Sequence, residues 1–127
     1  MSFRIFVADD HEVVRRGLCA LLQAQPDWEV CGEAADGREA LDLIRAHKPD
    51  VVLMDISMPR LNGLEATRLS AKEFPETRVV ILSMHTDREY VRQALAAGAV
   101  GYVLKSATQT DLVTALETAN RGDVWLS

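Results

Sequence analysis

Short apolar runs alternate with longer amphipathic segments along this chain. Two of the runs are nearly continuous in Val, Ile and Leu, which is typical of central parallel strands covered on both faces. Run length alone also allows buried turns of helix, so the segments between the runs decide the interpretation. The predicted strands are residues 3–8, 28–34, 51–54, 78–83 and 101–104.

Each intervening segment carries apolar residues at helical spacing. The first places Val14, Leu18, Leu21 and Leu22 at positions i, i+4, i+7 and i+8, and the segment that begins at Leu112 has a similar pattern. This spacing puts the apolar side chains on one face of a helix, where they can pack against a sheet. The pattern therefore predicts five strands that alternate with five amphipathic helices.

Capping residues and helix breakers mark the same boundaries. A capping oxygen three residues before a Glu indicates a helix start, and Pro or Gly after an apolar segment indicates a helix end. The predicted starts are Asp36/Glu39, Asn62/Glu65 and Thr86/Glu89, and the predicted ends are followed by Pro26, Pro49, Pro75, Gly98 and Gly122. Such regular alternation predicts a three-layer α/β sandwich, in which right-handed crossovers join the strands of a parallel sheet.

Composition fits a single globular domain and narrows the classes of function. The 127 residues are 48% apolar and 26% charged, which is enough to build a core without disulfide or metal crosslinks. The net charge of −5 is scattered, so direct binding of nucleic acid by this chain is disfavoured.

Cys19 and Cys31 lack metal-ligand spacing and indicate buried thiols in a reducing compartment. No apolar run reaches membrane-spanning length, and we expect a soluble cytoplasmic protein.

Polar side chains follow four of the five predicted strands. Asp9 and Asp10 follow the first, Asp55 the third, Ser83 the fourth and Lys105 the fifth. Because the carboxyl ends of parallel strands share one edge of the sheet, these groups are expected to meet in one crevice. Several carboxylates in one place require a cation, and oxygen ligands without Cys or His pairs favour Mg²⁺ over zinc.

This constellation is typical of phosphoryl transfer to a carboxylate. Such chemistry needs a nucleophilic carboxylate, here Asp55, a metal held by acids such as Asp9 and Asp10, and a cation and a hydroxyl that hold the phosphoryl oxygens. Taken singly, the acidic pair also fits a solvated turn, and Ser83 or Lys105 fits an ordinary polar strand end. Their joint placement after four strands favours the chemical interpretation.

The same residues lie in motifs of a known family. The motifs are Val7-Ala8-Asp9-Asp10-His11, Val51 to Pro59 followed by Asn62-Gly63, Ser83-Met84-His85 and Gly101-Tyr102-Val103-Leu104-Lys105. With them the chain resembles a response regulator receiver domain of two-component signalling over residues 1–127, in the NarL/FixJ (LuxR-type) subgroup. The resemblance implies a flavodoxin-like fold with a five-stranded parallel sheet of order 2-1-3-4-5.

The resemblance also implies a role for each site residue. Asp55 would accept a phosphoryl group from the phosphohistidine of a sensor histidine kinase. Asp10, Asp55 and the backbone carbonyl of Ser57 would bind Mg²⁺, with Asp9 assisting. Lys105 would pair with the phosphoryl oxygens. The domain would therefore be a phosphoacceptor that loads and unloads its own phosphoryl group rather than a turnover enzyme.

Ser83 and Tyr102 are the switch residues that the resemblance implies. Ser83 would turn to the phosphoryl group, and Tyr102 would fill the space it leaves, so that the surface of the fourth helix and fifth strand changes. Met84 is bulkier than the residue many receivers carry there and is expected to narrow access to Asp55. Ser106 follows Lys105 where many receivers have Pro, so the sequence gives no support for a cis peptide at that bond.

The output of the domain is expected to lie outside residues 1–127. Proteins of the resembled subgroup usually continue into a C-terminal helix-turn-helix domain, so the expected function is a phosphorylation-activated switch that controls transcription, with homodimerisation on phosphorylation. A stand-alone receiver that acts by protein contact or phosphorelay is the alternative. An aspartate-dependent phosphatase is less favoured, because Ser57 stands where that class carries a second, general-acid Asp.

Overall fold

The structure is a computed structural model that describes residues 3–126. Strands and helices alternate along it, and all five predicted strands are confirmed, with the third extended by one residue to include Asp55. The elements are β1 (Phe3–Ala8), α1 (Glu12–Gln23), β2 (Trp28–Ala34), α2 (Gly37–His47), β3 (Val51–Asp55), α3 (Gly63–Glu73), β4 (Arg78–Ser83), α4 (Arg88–Ala96), β5 (Gly101–Leu104), α5 (Gln109–Asn120) and β6 (Trp125–Leu126).

All neighbouring strands are parallel, and the sheet order is β2-β1-β3-β4-β5-β6. This confirms the expected order 2-1-3-4-5 and adds a sixth strand at the edge. There, the Trp125 N–H donates to the Val100 carbonyl at 3.0 Å, and Trp125 pairs with Gly101. Two residues are too few to show a hydrophobic period, so the sequence pattern gave no signal for this strand.

Side-chain alternation divides the core between the two faces of the sheet. Val51 and Leu53 of β3 pack with α1 and α5, whereas Val52 and Met54 pack with α2, α3 and α4. Both faces of the central strands are therefore buried, which explains their continuous apolar sequence. The three-layer α/β sandwich is confirmed, and within residues 3–126 no helix is long and apolar enough to cross a membrane.

The apolar stripe of α1 is less buried than its spacing predicts. Leu22 is fully buried, but Leu18 and Leu21 are only partly covered and Val14 is 41% exposed. A cavity of about 250 Å³ lies beside Val14, Leu18 and Leu21 and extends to Leu112 of α5. Because this space is open, helical periodicity identified the correct face but overstated how tightly it packs.

The predicted cysteine environment also needs correction. Cys19 and Cys31 are free and half-buried rather than enclosed in the core. Partial burial, with the negative charge of Glu33 as the second cause, raises the pKa of the Cys19 thiol to about 11. Cys19 therefore stays protonated at neutral pH and is a weak nucleophile.

Two of the three predicted helix caps are present. Asp36 accepts from the Glu39 N–H at 2.8 Å, and Asn62 accepts from the Glu65 N–H at 2.9 Å. The prediction for Thr86 is wrong: the N-cap of α4 is Asp87, one residue later, and its side chain makes no capping hydrogen bond. In addition to the predicted caps, α5 is capped by Thr108, which the Glu pattern did not predict because Asp111 stands at the third position. Gly98 and Gly122, at the ends of α4 and α5, have φ of +107° and +86°, as left-handed helix ends require.

Replacing Gly63 by alanine should strongly destabilise the domain. A Cβ at Gly63 would lie 2.0 Å from the Asp55 carbonyl oxygen and 2.8 Å from Ile56 Cα, so the backbone beside the site would have to move. We expect the free energy of unfolding in urea to fall by about 2 kcal/mol or more. Gly17→Ala in α1 is the matched control, because apart from its chain neighbours and the backbone of its own helix no atom lies within 4 Å of its Cβ position. It should gain about 0.5–1 kcal/mol from helix propensity. Equal stabilities for the two variants would contradict this account of Gly63.

Candidate functional site

The carboxyl ends of β1, β3 and β5 bring two buried carboxylates and one ammonium group together. Asp9 is fully buried and Asp55 is 2% exposed. The Nζ atom of Lys105 lies 3.2 Å from Asp55 Oδ2 and 3.5 Å from Asp9 Oδ2. One cation therefore faces two buried acids, which leaves the ionised pocket with an excess of negative charge.

The two Oδ2 atoms that face Lys105 are incompletely satisfied. Both are buried, and neither has a hydrogen-bond partner. Burial and the nearby charge of Asp9 raise the pKa of Asp55, and the opposing effect of Lys105 does not cancel them. Because ionised carboxylates are costly to bury without full pairing, this pocket is suited to a further cation.

The donor atoms around this pocket fit a hard divalent ion. One ligand atom from each of Asp9, Asp10, His11 and Asp55 can be chosen so that all four lie within 4.8 Å of one another. Asp10 is exposed and so keeps access to solvent, while Ser57 lies beside the pocket and donates its N–H to Asp55 Oδ1 at 3.3 Å. Carboxylate oxygens with room for water are the environment that Mg²⁺ favours.

Ser83 and Tyr102 meet at the backbone of a third residue, His85. The His85 N–H donates to Ser83 Oγ at 2.9 Å, and the Tyr102 hydroxyl donates to the His85 carbonyl at 2.7 Å. Tyr102 is 2% exposed, so its ring already lies inside the domain in this structure, and burial raises its pKa. The imidazole of His85 also stacks on Tyr90 of α4, with ring centroids 4.0 Å apart and planes within 6°.

Two further sequence expectations concern Met84 and the peptide bond after Lys105. Met84 is 77% exposed, and the expectation that it narrows access to Asp55 stays a prediction. Among the described residues no peptide bond is cis, which includes the bond between Lys105 and Ser106.

Arg15 contacts the backbone of the acidic pair, and the sequence pattern did not predict this role. Its side chain is 13% exposed, its Nη1 donates to the Asp9 carbonyl at 2.8 Å, and its Nε donates to Glu33 Oε1 at 2.8 Å. This arginine ties α1 and β2 to the backbone of the acidic pair. Attention to strand ends alone could not find it, because Arg15 lies within a helix and its partner Glu33 lies 18 residues away.

Comparison with known proteins now identifies the family. A family model described as response regulator receiver domain matches residues 5–117. The chain belongs to the response regulator receiver domain family. The oxygen regulatory protein NreC of Staphylococcus carnosus is 45% identical over 124 residues, which are 97% of this chain and 57% of that protein. The receiver domain described here therefore spans little more than half the length of this curated relative.

Solved structures support the same assignment. A two-component response regulator of the LuxR family from Aurantimonas sp. SI85-9A1 superposes with a TM-score of 0.96 at 38% identity, over 100% of this chain and 91% of that one. The signal receiver domain of the putative response regulator NarL from Mycobacterium tuberculosis gives a TM-score of 0.91 at 39% identity, over 95% of this chain and 98% of that one. The receiver fold and the LuxR/NarL grouping are thus both shown.

Removing the charge of Asp55 should stabilise the metal-free receiver domain. Since the folded pKa of Asp55 is raised, its ionised form destabilises the fold at pH values above that pKa, and the penalty disappears as the pH falls through it. Asp55→Asn should therefore raise the Tm by a few degrees at pH 7 in EDTA, because about 1 kcal/mol corresponds to ~4 °C for a domain of this size. The difference from wild type should shrink on acidification.

The control for this measurement is Asp123→Asn. Asp123 is 71% exposed and lies 3.9 Å from Arg121, so neutralising it should leave the Tm almost unchanged. A lower Tm for Asp55→Asn than for wild type at pH 7 would show that the Lys105 contact outweighs burial and the charge of Asp9.

Proposed function

We propose that this receiver domain accepts a phosphoryl group on Asp55 from the phosphohistidine of a sensor histidine kinase. The observation that carries the proposal is the buried Asp55 carboxylate, paired with Lys105 at 3.2 Å beside the acids Asp9 and Asp10. A carboxylate oxygen of Asp55 attacks phosphorus, the N–P bond of the phosphohistidine breaks, and the imidazole nitrogen keeps the electron pair and takes up a proton. The product is an acyl phosphate on Asp55.

The acids of the pocket hold Mg²⁺ in this proposal. Asp10, Asp55 and the carbonyl of Ser57 are the ligands, and Asp9 assists. When bound, the ion neutralises charge on the phosphoryl oxygens. Lys105, whose Nζ lies 3.2 Å from Asp55 Oδ2, would pair with the phosphoryl oxygens. The domain is accordingly a self-phosphorylating and self-dephosphorylating acceptor, not a turnover enzyme.

Ser83 and Tyr102 convert this modification into a change of surface. The Ser83 hydroxyl leaves the His85 N–H and bonds to the phosphoryl group, while the hydroxyl of the inward Tyr102 holds the His85 carbonyl. In this proposal phosphorylation increases the population of the inward position of Tyr102 over an outward one, and the unphosphorylated structure already adopts the inward position with Ser83 bonded to the His85 N–H. The surface of α4 and β5 differs between these two states.

The output that fits best is control of transcription through a C-terminal helix-turn-helix domain. The proposal rests on the LuxR-family relatives and on NreC, of which this receiver domain spans 57%. Phosphorylation-linked homodimerisation in the cytoplasm belongs to the same proposal, and DNA binding is left to the output domain.

A stand-alone receiver that acts by protein contact or phosphorelay is the second candidate, and the full-length gene distinguishes the two. A phosphatase is not favoured, because Ser57 offers no general acid.

Intact mass spectrometry tests the acceptor directly. After incubation with acetyl phosphate and Mg²⁺, the wild-type domain should gain the mass of one phosphoryl group. Asp55→Asn, and wild type treated with EDTA, should gain none. A phosphorylated Asp55→Asn variant would contradict the assignment of the acceptor. If acetyl phosphate fails, a phosphorylated histidine kinase domain should be supplied, and failure with that donor as well would overturn the proposal.

The role of the Tyr102 hydroxyl can be tested separately from phosphorylation. Tyr102→Phe removes the bond to the His85 carbonyl, which is worth about 1 kcal/mol, so the ratio of the inward to the outward position should fall about fivefold. Phosphorylation should be retained, while the amide NMR shifts of residues 84–96 on phosphorylation should be reduced. Tyr90→Phe is the matched control, since it keeps the ring that stacks on His85. If Tyr102→Phe shows the same amide NMR shifts on phosphorylation as wild type, the Tyr102 hydroxyl has no role in the switch.

A further inference from the structure

The peptide group that joins Asp9 to Asp10 is contacted from outside strand β1. Because β1 ends at Ala8, Asp10 lies beyond the paired strand, and it is exposed. The Asp9 carbonyl oxygen accepts a hydrogen bond from Arg15 Nη1 at 2.8 Å. A peptide group is planar, so the direction of the Asp9 carbonyl also sets the direction in which the backbone enters Asp10. A contact at this oxygen therefore acts on the side chain of the next residue.

Arg15 makes this contact as one half of a two-point bridge. Its Nε donates to Glu33 Oε1 at 2.8 Å, and its side chain is only 13% exposed. A guanidinium group presents its donors in a rigid planar fork, so the position of one acceptor restricts the position of the other. Glu33 lies in β2 opposite Val7 of β1, which anchors the bridge to the sheet.

The neighbouring Arg16 provides a comparison within the same helix. Its Nε lies 3.8 Å from the same Glu33 oxygen, and its side chain is 68% exposed. Such an exposed ion pair contributes little to stability. Burial and the bond to the Asp9 carbonyl thus distinguish Arg15 from a residue of the same charge one position along the helix.

The charge of Arg15 has the wrong sign to attract a metal ion. A cation bonded to Asp9 opposes the binding of a second cation at the same residue. The bridge can instead supply geometry, because residues that orient metal ligands from behind affect metal affinity without touching the ion.

We propose that Arg15 is a positioning residue for the acidic pair. By bridging the Asp9 carbonyl and Glu33, it holds the Asp9–Asp10 peptide in the orientation that lets the Asp10 carboxylate reach a divalent ion beside Asp55. This inference rests on the metal pocket of the proposed function, and it assigns a role to two residues, Arg15 and Glu33, that are neither expected metal ligands nor expected phosphoryl contacts.

Titration with Mg²⁺, followed by the amide NMR signals of residues 9–11 and 55–57, tests this role. Arg15→Met keeps an unbranched apolar side chain but removes both donors, and it should weaken Mg²⁺ binding about tenfold. Arg16→Met removes the same charge from the same helix and should change the affinity less than twofold. Each variant is measured well below its Tm, so that loss of stability does not enter the affinity.

The sign of the change separates positioning from electrostatics. Loss of a positive charge alone would tighten Mg²⁺ binding, whereas loss of the bridge should weaken it. Mg²⁺ affinity in Arg15→Met that equals or exceeds that of wild type would overturn the proposal. If Arg15→Met does not fold, Arg15→Lys decides the question, because it keeps the charge and lacks the planar fork. It should bind Mg²⁺ about threefold more weakly than wild type, and wild-type affinity would overturn the proposal.

The amide ¹⁵N signal of Asp10 reports the contact without any metal. This nitrogen belongs to the same peptide group as the Asp9 carbonyl, so its chemical shift should move in metal-free Arg15→Met and stay unchanged in Arg16→Met. An unchanged Asp10 shift in Arg15→Met would also overturn the proposal.

Phosphorylation with acetyl phosphate and Mg²⁺ separates this inference from the proposed function. If wild type binds Mg²⁺ but accepts a phosphoryl group from no donor, the acceptor function fails, and the Mg²⁺ affinities of the Arg15 and Arg16 variants still decide the positioning role. If wild type is phosphorylated normally and Arg15→Met binds Mg²⁺ as wild type does, the positioning inference alone fails.

Discussion

The buried charge imbalance of Asp9, Asp55 and Lys105 is the constraint on which the site depends. Two carboxylates that are almost inaccessible to water share one ammonium group, and both oxygens that face it lack hydrogen bonds. A protein tolerates such a pocket where a bound cation or a modification completes it, because desolvated charge is otherwise destabilising. Burial and the charge of Asp9 also raise the pKa of Asp55, because both favour its protonated form.

Parallel topology is what creates this pocket. Strands β1, β3 and β5 each end at the same edge of the sheet, so the residue after or at each strand end faces the others without a long loop to position it. The close approach of Gly63 to the Asp55 carbonyl then brings the start of α3 against β3. Arg15 of α1 donates to the Asp9 carbonyl. The backbone of Asp55 is therefore in close contact with α3, and the backbone of Asp9 is bound by a side chain of α1.

Periodicity and strand ends were enough to predict most of the fold and the gathering of Asp9, Asp55 and Lys105. These features are local in sequence, or follow from a topology that local patterns imply. What the sequence did not predict depends on contacts between distant segments or on very short elements. Arg15 with Glu33 and His85 with Tyr102 are of the first kind, since neither pair is marked by a spacing rule. The two-residue strand β6 is of the second kind, and the exposure of Val14 reflects a cavity that no pattern encodes.

His85 connects the pocket to the outer surface in a single residue. Its N–H is held by Ser83, its carbonyl by Tyr102, and its ring by Tyr90 of α4. In the proposed switch, a change in the partner of the Ser83 hydroxyl would remove the first of these contacts and leave the other two, so a shift of His85 would be passed to Tyr102 and, through the ring stack, to α4. Because the three contacts involve different atoms of one residue, in the proposed switch a change at the Ser83 hydroxyl would reach α4 through His85 and Tyr90 without rearrangement of the apolar core. That core is close-packed and deforms little, which makes the loop between β4 and α4 the shorter physical route from Asp55 to the surface.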